Sequence, residues 1–259
     1  MTTNDAFEHI VLEHSAGVVR LVLNRPPLNV LNIKMLNEIN EALRSVTYDL
    51  ETRLLIITGS GKAFSAGVDV GEHLPETAEE MLSVFQMTYE LLSAIEIPTL
   101  AVVNGVALGG GCELAVLCDL VLAAESAKLG QPEIRLATIA PIAAAVFPRL
   151  CGTRKTLELL LTGESISASE AARIGLITRA VADDRLQDEV EKLTQKLLSL
   201  SPQALRAVKR SVLDGTGRKI NDAVDHATGL CLEMLLHSHD SEEGLRAFLE
   251  KRRPMWAGR

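Results

Sequence analysis

The rhythm of apolar and polar positions changes several times along the chain. Two short runs rich in β-formers come first, HIVLEH and VVRLVLN, and both predict strands. Pro26 and Pro27 in NRPPLNVLN break them. From Ile33 to Thr47 the period is helical, with Met35, Leu36, Ile39 and Leu43 on one face. RLLIITG, Arg53 to Gly59, predicts a buried strand ended by glycine, and GSGKAFSAGVDVGE predicts a loop. Ala78 to Ile95 is helical again and stops before Pro98. TLAVVNG predicts another buried strand. A glycine triplet (Gly109, Gly110, Gly111) and a short apolar helix follow, then a strand at DLVLAAE.

Strands therefore alternate with helices through about residue 130, which predicts an α/β core. From about Pro141 the signals are nearly all helical: Leu157 to Leu161, Ala168 to Ile174, Leu186 to Leu200, Pro202 to Leu213, Ile220 to Leu236 and Glu242 to Lys251. Leu176 to Val181 carries an overlapping pattern that admits one more short strand. No linker rich in Gly, Ser or Pro separates the halves. The expected organisation is an α/β core over 1–200 and a helical part over 201–259, packed on the core or on a neighbour.

Composition narrows the picture. The 259 residues are 47% hydrophobic and only 3% aromatic, so aliphatic side chains carry the packing of a sizeable core. The net charge of −8 argues against a general nucleic-acid role, which favours a basic surface. The opening MTTNDAFEHI has neither a basic nor an apolar leader segment, and no uncharged apolar run approaches the ~20 residues a bilayer demands. Cys112, Cys118, Cys151 and Cys231 form no C-x-x-C pair and no zinc spacing. They are expected to be buried small residues in a reducing, cytoplasmic compartment. His237 and His239 have no supporting ligands and predict a surface turn.

Three familiar motifs fail. The glycines of ALGGGCELA are contiguous, and the final position of a dinucleotide fingerprint falls on Leu114. No phosphate-binding G-x-x-x-x-G-K-[ST] exists. AFSAG lacks the first glycine of a nucleophile elbow, so Ser65 is no nucleophile. What remains is a pair of similar loops, AFSAGVD and ALGGGCE, each after a strand and rich in Gly and Ala. Small residues let a ligand approach the backbone, and two amides aimed at one point make an oxyanion hole. Close strand–helix packing is the alternative for either loop alone. The recurrence of the loop beside an acid, Asp69 and Glu113, favours function. Glu113 opens an otherwise apolar helix. Glu133, in KLGQPEIRL, reads on its own as a solvated loop acid, and Asp119 as a structural cap or pair.

NGVALGGGCELAVLCDLVLAAESAKLGQPEIRL resembles the crotonase, or enoyl-CoA hydratase/isomerase, superfamily. The resemblance extends to LNRPPLNVLN, GKAFSAGVDV, LTGESISASEAARIGLI and EGLRAFLEKRRPMW, and so to nearly the whole chain. It implies a spiral of ββα units with a helical C-terminal trimerisation region, as a homotrimer or a dimer of trimers. It implies an acyl-CoA thioester substrate and no cofactor beyond the coenzyme A of that substrate, with no metal, nucleic acid or membrane partner. By position, the amides of Val68 and Gly110 would hold the thioester oxygen. Ala66 with neighbouring backbone would meet the adenine, and Asp69 and Gly109 belong to the same binding loops. Phe248 and Lys251 would reach the CoA of an adjacent subunit. Glu113 and Glu133 match the two acids of hydratases. Glu113 is the expected base toward water and Glu133 the expected proton donor, with shared or exchanged roles left open.

Departures sharpen this expectation. Hydratases usually follow the second acid with a glycine-rich GAGGTQRL-like segment, whereas this chain has TIAPIAAAVFPRL, Thr138 to Leu150. That change reads either as a re-packed helix start or as a reshaped acyl pocket for a compact apolar group. VDVGEH lacks the lysine often found after the aspartate. RPPLNVLN and PIAAAVFPRL together resemble the hydratases of cyclohexa-1,5-diene-1-carbonyl-CoA, which act in anaerobic benzoyl-CoA breakdown. Short-chain enoyl-CoA or methylglutaconyl-CoA hydration, enoyl-CoA isomerisation, and a non-catalytic RNA-binding relative are the alternatives.

Overall fold

The computed structural model describes residues 2–4, by backbone alone, and 7–259. Met1, Asp5 and Ala6, part of the stretch read above for a leader, lie outside the described residues. The chain divides into two units, Met1–Ile95 with Thr99–Glu191, and Glu96–Pro98 with Lys192–Arg259.

In the first unit the chain runs β1 (Thr2–Asn4), β2 (Ile10–Ser15), β3 (Val18–Leu23), α1 (Ile33–Tyr48), β4 (Leu54–Gly59), β5 (Ala63–Ser65) and α2 (Ala78–Ala94). It continues through β6 (Thr99–Val103), β7 (Val106–Leu108), α3 (Gly110–Val116), β8 (Leu120–Ala124), β9 (Lys128–Gly130) and α4 (Pro141–Cys151). Then come α5 (Thr153–Thr162), β10 (Ser165–Ser167), α6 (Ala168–Arg173), β11 (Arg179–Val181) and the start of α7 (Leu186–Leu198). A seven-stranded sheet has the order β1-β2-β3-β4-β6-β8-β11, and a smaller sheet the order β10-β9-β7-β5. From β3 to β11 the large sheet is parallel. β5, β7 and β9 are parallel in the small one.

The successive pairs β4–β5, β6–β7 and β8–β9 each send one strand to each sheet and lead into a helix. This is the expected spiral of ββα units. Five consecutive residues of β4 and all of β6 are buried, which explains their unbroken apolar runs. β2 begins with alternating burial and lies between β1 and β3 near one edge of the sheet. α1 buries Met35, Leu36, Ile39, Leu43 and Val46, and the Met35 amide donates to the Asn32 side chain at its start. Asp119 pairs as expected, accepting from the Thr99 amide at 2.7 Å and the Thr99 hydroxyl at 2.9 Å.

The second unit holds the end of α7 with α8 (Pro202–Gly215), α9 (Ile220–His237) and α10 (His239–Glu250). α8 packs on α9, and both meet α10. The buried Asp240 gathers the Ser201 hydroxyl at 2.6 Å and the amides of Ala257 and Gly258, and so ties the chain's end to the start of α8. Ser238 separates α9 from α10, so His237 and His239 do flank a turn.

The cysteines need one correction. Cys112 and Cys118 are buried, but Cys151 is only partly covered and Cys231 is exposed. Cys231 lies on α9, which has no fully buried residue. All four are free thiols. Among the described residues no helix is long and apolar enough to cross a membrane.

Candidate active site

The first loop leaves β5 and is locked to the N-terminal motif. Leu31 and Val68 form a parallel bridge, in which the Leu31 amide donates to Gly67 O and the Asp69 amide to Leu31 O, both at 2.8 Å. In such a bridge the bonds go to the residues on either side of the partner, so the N–H of Val68 itself turns the other way. The Ala66 amide is already engaged by Leu28 O at 2.9 Å. The Asp69 carboxylate accepts the Gly71 amide at 3.0 Å and lies 3.6 Å from Arg25.

The second loop leaves β7. Gly109, at φ 49° and ψ −129°, occupies backbone space that a side chain would strain. A Cβ there would also lie 2.4 Å from the Glu133 Oε1. The Gly109 amide is fixed on Gly130 O at 2.9 Å. Gly110 begins α3, so its N–H belongs to the first turn and has no partner within the helix. A Cβ on Gly110 would stand 2.6 Å from Val68 Cγ2 and 3.2 Å from the Phe85 ring, and one on Gly111 would strike Ser65. The triplet is therefore small because three neighbours crowd it: the second acid, the first loop and β5. Val68 and Gly110 stand side by side.

The acids come from two elements. Glu113, on α3, is 2% exposed. Its Oε1 accepts the Ala143 amide at 2.7 Å, and the Ile142 amide also bonds the carboxylate. Burial pushes this carboxyl up to about 7, against the pull of the Ala143 amide; the nearby Glu133 charge raises it further and the Ile142 amide lowers it. Glu133 lies on a 3-10 turn, Pro132–Leu136, and is half-buried. Burial raises its carboxyl as well, while its own backbone amide and the charge of His73 pull it down. Glu133 is thus no solvated loop acid. The two acids thus come from separate elements, and the charge of Glu133 acts on Glu113.

The departure at TIAPIAAAVFPRL proves to be α4 itself, entered through Ala140 and Pro141. Ala143 and Phe147 face the core. Ile142, Ala145 and Val146 face Leu82, Phe85 and Tyr89 of α2 across a cavity of about 400 Å³. Phe85 borders Gly110 and the Ile142 amide holds Glu113, so the cavity abuts both loops' chemistry. Val68, Gly109, Gly110, Glu113 and Glu133 are thus gathered in the first unit, with Ala66 and Asp69 beside them. Phe248 and Lys251 lie in the second unit, exposed at the end of α10, with Lys251 as its left-handed cap.

Three residues escaped the sequence reading. Buried Asn29 donates to Ser60 O at 3.0 Å and Ala63 O at 2.8 Å and accepts the Arg25 amide, which fastens PPLNVLN to the start of the first loop. Gln131 is 1% exposed; with its amide nitrogen toward Glu133 it donates to both carboxylate oxygens, at 3.3 and 3.1 Å. His73 places Nδ1 2.9 Å from Asp69 O. An amide two residues before an acid was the available signal for Gln131. Nothing local marked Asn29, whose carbonyl partners Ser60 and Ala63 lie more than thirty residues away.

The family profile described as enoyl-CoA hydratase/isomerase matches residues 13–259. A crotonyl-CoA hydratase of Syntrophomonas wolfei is 40% identical over 257 residues, covering 96% of this chain and 97% of that protein. A cyclohexa-1,5-dienecarbonyl-CoA hydratase of Thauera aromatica is 36% identical over 249 residues, with 96% of each covered. Among solved structures, an enoyl-CoA hydratase from Bacillus anthracis superposes with a TM-score of 0.92 at 34% identity, covering 97% of this chain and 100% of that one.

Proposed function

Since the chain belongs to the enoyl-CoA hydratase/isomerase family, we propose that it is a hydro-lyase that adds water to an α,β-unsaturated CoA thioester. The observation that carries this reading is the pair Glu113 and Glu133, both raised by burial, beside two loops that bring Val68 and Gly110 together with the Val68 N–H turned away from its bridge and the Gly110 N–H in the first turn of α3. Adding water across a double bond conjugated to a thioester develops negative charge on the carbonyl oxygen. The amides of Val68 and Gly110 receive that charge; losing one such donor typically costs ~2.7–4 kcal/mol. The water oxygen bonds the β-carbon and gives its proton to one carboxylate, and the other carboxyl delivers a proton to the α-carbon. One proton shared by the pair satisfies both needs. Glu113→Gln and Glu133→Gln are each expected to reduce kcat by at least about a hundredfold while leaving thioester affinity nearly unchanged. Retained turnover in both variants would overturn the assignment.

For the acyl group we favour the cyclic diene of cyclohexa-1,5-diene-1-carbonyl-CoA, in anaerobic breakdown of aromatic acids. The support is the apolar wall that α4 builds with α2, together with the whole-length similarity to the Thauera aromatica hydratase. Crotonyl-CoA is the second reading, supported by the similarity to the Syntrophomonas wolfei hydratase. Turnover of crotonyl-, long-chain enoyl-, methylglutaconyl- and cyclohexadienecarbonyl-CoA, scored by product identity, separates them. Fastest turnover of crotonyl-CoA removes the cyclic substrate and leaves the hydratase standing.

The same reading places the adenine of CoA at the backbone of Ala66 beside Asp69, and Phe248 and Lys251 against the CoA of an adjacent subunit in a homotrimer or homohexamer. It assigns no cofactor beyond CoA and a cytoplasmic location. The exposed apolar positions of α8 and α9, among them Val212, Ile220, Leu235 and Leu236, support the assembly.

A further inference from the structure

Arg25 stands just before PPLNVLN, the segment that lies along the first loop. The Ala66 amide donates to Leu28 O at 2.9 Å, and the Leu31 amide to Gly67 O and the Asp69 amide to Leu31 O, both at 2.8 Å. Leu31 and Val68 pair as an isolated bridge and belong to neither sheet. The direction of the Val68 N–H depends on that bridge. No ladder of neighbouring strand pairs holds it in place, so its hold must come from side chains around it.

The Arg25 guanidinium reaches both sides of the bridge. Its Nη1 donates to the carbonyl oxygen of Val30, the residue before Leu31, at 2.9 Å. Its Nη2 lies 3.6 Å from the carboxylate of Asp69, the residue after Val68. The Arg25 backbone is itself fixed, because its amide donates to the buried Asn29 side chain at 3.0 Å. A guanidinium is always charged and is a planar fork of donors, so it serves a carbonyl and a carboxylate at once. The other oxygen of Asp69 accepts the Gly71 amide at 3.0 Å, which keeps the carboxylate from swinging away. Charge matters as well. A carboxylate one residue from the Val68 amide opposes negative charge gathering on a thioester oxygen, and the Arg25 cation offsets it.

We propose that Arg25 is a positioning residue for the oxyanion hole: it clamps Val30 and Asp69 on either side of the Leu31–Val68 bridge and so keeps the Val68 N–H aimed at the thioester oxygen. The proposal rests on the hydratase reading and deepens it. Arg25 is assigned no contact with a reacting atom; it sets the direction and the electrostatic surroundings of one donor. The other donor is set differently, by the helix start at Gly110 and the crowding of that residue against Val68 and Phe85. Loss of Arg25 therefore weakens one donor of two and leaves the acids and the acyl cavity as they are.

The test uses para-dimethylaminocinnamoyl-CoA, a conjugated thioester whose absorption moves to longer wavelength as its carbonyl is polarised. It is paired with kcat and KM for whichever of crotonyl-CoA and cyclohexadienecarbonyl-CoA the wild type hydrates faster. Arg25→Gln should bind the chromophore with a smaller red shift than the wild type. Its kcat should fall by about tenfold or more, with KM changed by less than about twofold. Arg25→Lys keeps the cation without the fork and should recover part of both. Asp69→Asn keeps an acceptor for the Gly71 amide but turns an NH2 group toward Arg25. It should show the same smaller shift, and it carries the test should Arg25→Gln fail to fold. A full red shift with wild-type kcat in folded Arg25→Gln or in Asp69→Asn, or a change in KM alone in Arg25→Gln, overturns the proposal and leaves the hydratase reading intact. A wild type that binds the chromophore with no red shift, or that hydrates no enoyl-CoA, removes the oxyanion hole and this proposal with it.

Discussion

Glu113 stands between opposing influences, and their balance has measurable consequences. Burial favours the neutral acid, while the amides of Ala143 and Ile142 favour the carboxylate; burial wins and the carboxyl titrates at about 7. On the proposed mechanism the acid pair loses its last proton there, so kcat/KM should fall as pH rises through about 7, and Glu113→Gln should not show that limb. Stability carries the same signature. Because the folded-state value exceeds the ordinary 4.5, the folded chain binds the extra proton between those limits. Stability is then full below about pH 4.5 and declines toward pH 7, by roughly 3 kcal/mol from this group. Urea titrations across that window should show the decline in the wild type and a flatter course in Glu113→Gln. Gly110 is sensitive for a steric reason. Gly110→Ala sets a methyl 2.6 Å from Val68 Cγ2 and pushes the two loops apart. Its kcat should drop by about 10²–10³ with the fold retained by circular dichroism.

At the scale of elements, the site depends on how short segments are fastened. Asn29 is the main rivet between PPLNVLN and the strand corner before the first loop. Asn29→Ala leaves the part-buried carbonyl of Ser60 and the buried carbonyl of Ala63 without that donor and should cost about 2–3 kcal/mol in urea unfolding. A loss within 0.5 kcal/mol would show that the corner holds itself. Helix periodicity made α1 and α2 legible almost to their ends, and the apolar runs marked β4, β6 and β8. The small sheet was not legible. β5, β7, β9 and β10 have three residues each, too few to show a period, and they lie in stretches whose glycines read as loop. Glu133 read as solvated because its cover, Gly109 and Gln131, comes from segments whose packing only the small sheet sets.

For the whole molecule, the alternation of strand and helix pointed to an α/β core, and the sequence resemblance to the ββα spiral. The order of strands across the two sheets is a long-range property that no local pattern records. The cysteines show a similar limit: Cys231 sits on an apolar helix, but that helix leaves it exposed. The uncovered apolar residues of α8 and α9 lead to a prediction about assembly. Sedimentation should give a trimer or hexamer, and Leu235→Glu should shift the mass toward the single chain if α9 lies in the interface; a monomeric wild type would contradict the assembly. The central claim concerns chemistry, and one measurement reaches it most directly. Crotonyl-CoA and cyclohexadienecarbonyl-CoA are incubated with the protein in deuterated water, and the products are read by mass spectrometry. The account predicts a hydrated thioester carrying deuterium at the carbon that received the proton, formed by the wild type and lost in Glu113→Gln and Glu133→Gln. Hydrated product at undiminished rates from both variants, or no hydrated product from the wild type with any enoyl-CoA tested, would contradict it.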